Sequence, residues 1–348
     1  MSNNKYSLTN CKTLAQKFNG KSILITGGTG SFGNQMIKTL LEHFTPRRII
    51  IYSRDEYKQS LMQEKFNPKL FPNIRYFIGD IRDYDRLETA LAGVDIVFHA
   101  AALKQVPAIE YNPYEAVKTN IIGSQNVIRA SIKNGVSQVM AISTDKCVNP
   151  TNLYGGTKLC AEKLFINANI LSEKTKFCAA RYGNVLGSRG SVIHLFKDFK
   201  DKGAPLKVTD DRMTRFTVTL EQAINFVLMG VDLSVGGEIY VPVLPSYNIM
   251  QLVEIFGGEH KITGIRPGEK LHEMMLSEYE SHLAYRFDDF FIITPLEDYD
   301  VQRFQIEDFS AVAGKANKCE AGTNYSSGEN ELINTSELKK LVQDIIQI

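Results

Sequence analysis

Seven residues, Gly27-Gly28-Thr29-Gly30-Ser31-Phe32-Gly33, constrain the fold of this chain more than any others. They directly follow the apolar, β-branched run Ser22–Thr26 and open an amphipathic stretch over 31–43. Counted from Gly27, their spacing is Gly-x-x-Gly-x-x-Gly. Alone, such glycines make an ordinary tight turn. Between a strand and a helix they let the backbone approach a pyrophosphate closely, at a helix N-terminus with unpaired N–H groups and positive potential.

The strand-then-helix rhythm continues. Strands are predicted at Ser22–Thr26, Arg48–Tyr52, Arg75–Ile78, Asp95–Phe98, Gln138–Ile142 and Phe177–Ala180, and helices over 31–43, 55–65, 83–92, 113–134 and 155–171. Asp83 suits an N-cap and Pro113 a first helical turn. Such alternation implies an α/β fold of Rossmann type, a doubly wound parallel sheet with helices on both faces. After Arg181 the rhythm breaks. Residues 183–217 read as loop-rich, 219–243 as one more helix and strand returning to the sheet, 246–300 as a mixed α/β lobe, 312–330 as a mobile connection and 336–347 as a closing helix. The expected division is a dinucleotide-binding domain of 1–185 plus about 218–245, and a substrate lobe of 186–217 and 246–348.

The chain of 348 residues can bury a substantial core, and its net charge of +1 gives no field for nucleic acid or a membrane surface. Its five cysteines, Cys11, Cys147, Cys160, Cys178 and Cys319, are odd in number and lack CxxC spacing. That suits a reduced, cytoplasmic interior, and no metal site is expected. Residues 1–20 lack a signal-peptide apolar block, and no run approaches a membrane span.

The end of the second strand helps select the dinucleotide. NAD sites usually place a carboxylate there for the ribose 2′-hydroxyl. Here the chain reads Ile51-Tyr52-Ser53-Arg54, with Lys58 a turn later, and Arg54 and Lys58 suit a 2′-phosphate. Asp55 and Glu56 stand close by. NADP is the expected cofactor. Asp80 and Ile81, after the third strand, are placed near the adenine. Ala100-Ala101-Ala102-Leu103-Lys104, after the fourth, runs toward the nicotinamide and the substrate. His99 reads as a satisfied strand-end histidine.

The fifth strand delivers Ser143-Thr144-Asp145-Lys146 to its C-terminal end, and Tyr154-Gly155-Gly156-Thr157-Lys158 follows. Tyr154 and Lys158, four apart, share one helix face. The lysine's charge is expected to lower the phenol's pKa so that Tyr154 can accept a proton. Alone, Asp145-Lys146 is a surface ion pair. Beside Tyr154 it is a second proton-handling pair, which a site that only oxidises an alcohol does not need.

The glycine loop, the hydroxyl residues after the fifth strand and the Tyr-x-x-x-Lys pair resemble the extended short-chain dehydrogenase/reductases. More narrowly, Ser143–Lys146, Tyr154–Lys158, Arg181-Tyr182-Gly183-Asn184-Val185 and Met213-Thr214-Arg215-Phe216 resemble the soluble inverting UDP-N-acetylglucosamine 4,6-dehydratases that open pseudaminic acid biosynthesis. The resemblance spans about 22–295 and resumes near Tyr325-Ser326-Ser327. Cys147 and Gly156 stand where alanines are usual in that family. The resemblance implies that Tyr154 takes the C4 hydroxyl proton while bound NADP serves as hydride acceptor, that Lys146 removes the C5 proton, and that Asp145 protonates the departing C6 hydroxyl. Neutral Lys146 would be favoured by burial and by the cations Lys158 and nicotinamide; alternatively, Asp145 and Lys146 exchange a proton and titrate as a coupled pair. Thr144 or Ser143 would hold the sugar's O4, with threonine preferred.

A UDP-sugar diphosphate calls for guanidinium and amide donors, for which Arg181, Asn184, Arg189, Arg215 and Arg266 are candidates, with Lys104 beside them and Glu269 for a ribose hydroxyl. A homo-oligomer, dimer or hexamer, built on the 113–134 and 155–171 helices is implied by analogy. Flagellin or surface-polysaccharide glycosylation is implied by the resemblance. The competing readings are a retaining 4,6-dehydratase, a UDP-hexose 4-epimerase and a non-catalytic NADP-binding regulator.

Overall fold

In the computed structural model, which describes residues 12–188, 190–296, 306, 309 and 314–346, the chain enters through α1 (Lys12–Phe18) and then alternates strand and helix. The first half runs β1 (Ser22–Thr26), α2 (Ser31–His43), β2 (Arg48–Ser53), α3 (Glu56–Lys65), β3 (Ile74–Ile78), α4 (Tyr84–Ala90) and β4 (Ile96–His99). Next come α5 (Val106–Tyr111), α6 (Pro113–Ala116), α7 (Gly123–Lys133), β5 (Gln138–Ile142), α8 (Leu153–Asn167) and β6 (Lys176–Ala180). Asp55 and Asp83 cap α3 and α4, their carboxylates accepting from the backbone N–H of Lys58 and Arg86.

These strands form a parallel sheet in the order β3-β2-β1-β4-β5-β6, continued by β10 (Ile239–Pro242). The central strands are buried on both faces and therefore read as unbroken apolar runs. Their period of two sends Leu24, Ile50, Val97 and Val139 into one apolar cluster, and Ile23, Ile25, Ile49 and Ile51 into another on the opposite face. The chain order reverses beside β1, so a crevice opens between the C-terminal ends of β1 and β4.

The expected single helix over 113–134 is interrupted. Residues Val117–Ile122 take a π-helical turn, which lodges Asn120 under the loop after β4. There its side chain grips Leu103 at both backbone groups (2.8 and 2.9 Å) and donates to Thr157 Oγ1 (3.0 Å). One side chain thus ties the loop after β4 to helix α8.

The second half is more ordered than its composition suggests. The loop-rich 183–217 contains β7 (Asn184–Val185), α9 (Val192–Asp201), β8 (Leu206–Val208) and most of β9 (Thr214–Val218). After α10 (Leu220–Leu233) and β10 come β11 (Ser246–Asn248), α11 (Ile249–Phe256), β12 (His260–Ile262) and β13 (Met274–Leu276). Then β14 (Ala284–Arg286) and β15 (Phe290–Ile293) turn back and extend the main sheet antiparallel beyond β10, so the chain after 246 serves both the main sheet and the smaller ones.

The connection expected to be mobile at 312–330 is structured over its described part. β16 (Asn317–Lys318) edges the main sheet, and β17 (Tyr325–Ser326) pairs with β13. Small sheets β11-β9-β7, β12-β8 and β13-β17 frame the cleft. The cause of the order at 325 is Tyr325 itself, whose ring lies against Phe216 and Phe291 and whose hydroxyl bonds both backbone groups of Leu244 (2.8 Å each). Its neighbours come from distant segments, so a polar, glycine-containing stretch gave no local sign of it. Helix α12 (Thr335–Ile346) then packs with α9 and α11 over a third apolar cluster that includes Ile193, Phe196, Leu252, Phe256, Leu338 and Val342. Among the described residues no helix is long and apolar enough to cross a membrane.

Candidate active site

The crevice at the strand ends widens into a cavity of about 1200 Å³. At one end lies the glycine turn. Gly27 has φ +65°, and a Cβ there would come within 2.9 Å of the Ala101 backbone. Gly33 is packed beneath, where a Cβ would meet the Gly28 carbonyl at 2.1 Å. Thr29, Gly30, Ser31 and Phe32 face the cavity, and α2 begins there without a side-chain cap. A close-approach glycine turn, an uncapped helix start and room for a large ligand together fit a dinucleotide pyrophosphate.

Ser53, Arg54, Lys58, Asp80 and Ile81 line the same end, and Ala102 and Lys104 continue the wall. Arg54 lies 3.6 Å from Asp80, and Lys58 pairs with Asp55 at 2.8 Å. Both basic groups therefore face carboxylates at the protein surface. Ser53 presents no carboxylate, and its hydroxyl accepts from Gln59 (3.0 Å).

At the centre, the sequence folds into a short 3₁₀ turn, Asp145–Cys147, capped by Thr144. Asn152 then caps α8 by accepting from Gly155 N (2.9 Å), which sets Tyr154 and Lys158 on the first turns. The two elements touch closely, since a Cβ on Gly155 would lie 2.2 Å from the Lys146 carbonyl oxygen. Thr144, Asp145, Lys146, Tyr154 and Lys158 all reach the cavity. Thr144 Oγ1 donates to Asp145 Oδ1 (2.9 Å), whereas Ser143 points inward and donates to Glu162 (2.6 Å). Thr144 is thus the hydroxyl turned toward the cavity's reactive groups.

Two electrostatic expectations are corrected. Lys158 donates to the Ile142 carbonyl (2.7 Å), and burial lowers its pKa. The Tyr154 phenol is not depressed: burial pushes it up to about 12, against the opposing pull of Lys146. Lys146 is also not discharged by its cationic neighbours, of which Arg215 opposes its charge. Burial works against its charge, but Asp145 at 3.0 Å and Glu273 at 3.7 Å outweigh it, and the ammonium is held above its ordinary pKa. Burial raises the Asp145 carboxyl, which Lys146 opposes. For Glu273 burial is overcome by Lys146, Arg215 and Lys270, and its pKa falls. Lys146 is therefore held charged between Asp145 and Glu273.

No motif in the sequence pointed to Glu273. It sits just before β13, far along the chain from the Asp145-Lys146 pair it joins. Tyr247, buried in the same cluster, was also missed, and burial pushes its phenol up to about 12.

On the far side, Asn184 accepts from Lys146 Nζ (3.0 Å). Arg215 lies 3.6 Å from Glu273 and donates to the carbonyls of Thr214 and Leu271. Arg266 is exposed and paired with Glu269, and both line the cavity mouth. Arg189 lies outside the described residues. Arg181 is not available to a diphosphate: it is wholly buried between Glu162 and Glu280, at 2.6 Å from each. His99 is likewise internal, bonded to Thr26 (2.9 Å) and Ser124 (3.2 Å), with burial lowering its pKa to about 3.

Residues 23–295 match the family described as polysaccharide biosynthesis protein. The chain is 50% identical over 320 residues to UDP-N-acetylglucosamine 4,6-dehydratase (inverting) of Campylobacter jejuni, covering 90% of this chain and 95% of that one. It is 40% identical over 339 residues to UDP-glucose 4-epimerase of Rickettsia canadensis, covering 93% and 96%. In structure it is similar to Pen from Bacillus thuringiensis, with a TM-score of 0.85 and 38% identity over 95% of this chain and 99% of that one.

Proposed function

From a chain that belongs to the polysaccharide biosynthesis protein family, we propose a hydro-lyase that converts UDP-N-acetylglucosamine, with inversion at C5, to UDP-2-acetamido-2,6-dideoxy-β-L-arabino-hex-4-ulose. The observation that carries this reading is the second proton-handling pair. Asp145 and Lys146 share the cavity with Tyr154, and a site limited to oxidising C4 has no use for them.

The cofactor is NADP, held by the glycine turn, Ser53, Arg54 and Lys58, with Asp80 and Ile81 toward the adenine and Ala102 and Lys104 toward the nicotinamide. When bound, it supplies a hydride acceptor for C4 and returns the hydride at C6. Tyr154 takes the C4 hydroxyl proton, for which its phenol must be brought down from its present high pKa. Thr144 holds O4, and Lys158 anchors the nicotinamide ribose. The C4 ketone acidifies the C5 hydrogen, which Lys146 removes. Asp145, whose carboxyl pKa burial raises, gives a proton to the departing C6 hydroxyl. Asn184, Arg215, Arg266 and Glu269 take the UDP moiety. The reading extends to a cytoplasmic homo-oligomer and to the opening step of pseudaminic acid biosynthesis, both from the family resemblance.

Incubation with UDP-N-acetylglucosamine in deuterated water, followed by proton NMR, tests the reading. A new C6 methyl signal with deuterium at C5 is expected, and the C5 configuration of the product separates inversion from retention. The epimerase relatives make UDP-N-acetylgalactosamine without a methyl signal the outcome that would overturn it. Unchanged sugar would point to a non-catalytic regulator.

A further inference from the structure

Lys146 and Tyr154 reach the cavity from the Asp145–Cys147 turn and from α8, two elements joined by residues 148–152. Residues 264–270, which carry Arg266 and Glu269 at the cavity mouth, are clasped onto that linker. Lys270 Nζ donates to the Val148 carbonyl (2.5 Å). The Gly268 carbonyl accepts from both Thr151 Oγ1 (3.1 Å) and Asn152 Nδ2 (2.8 Å). Gly268 has φ +80°, and a Cβ there would lie 3.0 Å from the Asn152 Cβ, so this approach favours a glycine.

Asn152 also faces the other way. Its Oδ1 accepts from Gly155 N (2.9 Å) and caps α8 beside Tyr154. A backbone N–H needs an oxygen and a carbonyl needs an N–H, so both contacts demand the same orientation of the amide. The two ends of one planar group therefore join Gly268 to the first turn of the helix that bears Tyr154. That turn also packs on the Lys146 carbonyl through Gly155. A shift of residues 264–270 is thus passed by the amide toward both proton-handling side chains. Glu110 of α5 holds the same turn independently, accepting from Leu153 N (2.7 Å).

We infer that Asn152 is a positioning residue that couples binding of the nucleotide diphosphate at the 264–270 loop to the placement of Tyr154 against the sugar. The inference rests on the dehydratase reading. Phosphates drawn to Arg266 engage the loop, and the Asn152 amide carries that engagement to the α8 start. Binding of the unreactive part of a substrate raises turnover only when it improves alignment of the reacting groups, and a misplacement of about 1 Å can cost about 10²-fold. Asn152 acts through Tyr154 and takes no proton itself.

Asn152→Asp and Asn152→Ser separate the two contacts. Each keeps an oxygen that caps a helix about as well as asparagine does, and neither has an amide N–H for Gly268. Asn152→Ala loses both contacts. The measurements are turnover of UDP-N-acetylglucosamine, calorimetric titration with UDP, and melting curves, all on the full chain. In the Asp and Ser variants kcat should fall about 10–10²-fold, with the Kd for UDP within about twofold of the parent. Their melting temperatures should stay near the parent, and only Asn152→Ala should melt earlier. Arg266→Met should lower kcat and weaken UDP binding in the parent, but only weaken UDP binding in Asn152→Asp. Parent-like kcat in both the Asp and Ser variants, or weakened UDP binding with unchanged kcat, would overturn the coupling. So would a melting loss in both as large as that of Asn152→Ala, or an undiminished effect of Arg266→Met on kcat in Asn152→Asp. Should Asn152→Asp fail to fold, Asn152→Ser carries the same test. A parent enzyme that binds UDP but gives no C6 methyl product would instead sink the dehydratase reading.

Discussion

Two buried charge clusters lie on opposite sides of the same short turn. In one, Arg181 donates to Glu162 and Glu280, Ser143 donates to Glu162, and Cys147 Sγ lies 2.9 Å from the Thr144 carbonyl. The polar side-chain atoms of this cluster are satisfied. In the other, Asp145, Lys146, Glu273 and Arg215 face the cavity, and two carboxylate oxygens have no partner among the described residues. The saturated cluster fixes the turn from below. The unsaturated one leaves two carboxylate oxygens free at the cavity above it. Burial alone does not mark a functional charge; what separates these clusters is whether every donor and acceptor is used.

The largest expected effect is on the open cluster. Lys146→Ala should lower turnover about 10³-fold, on the order of 4 kcal/mol in the barrier. A near-parent rate in the steady-state dehydration assay would remove Lys146 as the base. Arg181→Met should act on stability, costing roughly 3–5 kcal/mol because Glu162 and Glu280 are left as buried, unpaired charges. Denaturant unfolding measures it, and a loss under about 1 kcal/mol would show that the closed cluster is not a clamp.

Acid should separate the clusters as well. Burial opposes the Glu280 charge, but Arg181 overcomes it and holds the carboxyl down to about 2. An unfolded glutamate titrates near about 4.3. The contribution of Glu280 is therefore fully present above that pH and is lost as pH falls toward 2. Thermal melts across this range should show a loss that Glu280→Gln reduces.

The adjacent glycines give the smallest contrast. Gly155→Ala drives a Cβ into the Lys146 carbonyl and should cost about 1–3 kcal/mol and much of the activity. A Cβ on Gly156 would meet nothing within 4 Å, so Gly156→Ala should stabilise α8 by up to about 1 kcal/mol. Equal effects at the two sites, read from melting curves, would break the close packing inferred between α8 and the Asp145–Cys147 turn.

The parallel sheet was legible because its strands carry their own signature. Ser22–Thr26, Gln138–Ile142 and the helix at 31–43 fall where the apolar pattern placed them. Helix α5 and the π-turn at 117–122 were not, because Asn120 adopts its position to serve Leu103 and Thr157 rather than its own helix. The unusual Cys147 is absorbed by the closed cluster, where its thiol lies between Ser143 and Glu162.

Local spacing set the glycine turn, the Tyr154–Lys158 face and the Asp145-Lys146 dipeptide, since these depend on neighbours a few residues away. Spacing could not say which charges would meet. Arg181 was a candidate for the diphosphate and became an internal tie, while Glu273 carried no motif and became the partner of Lys146. Coulomb interaction and desolvation depend on distance and burial in three dimensions, so the protonation of the site was decided by how remote segments pack together.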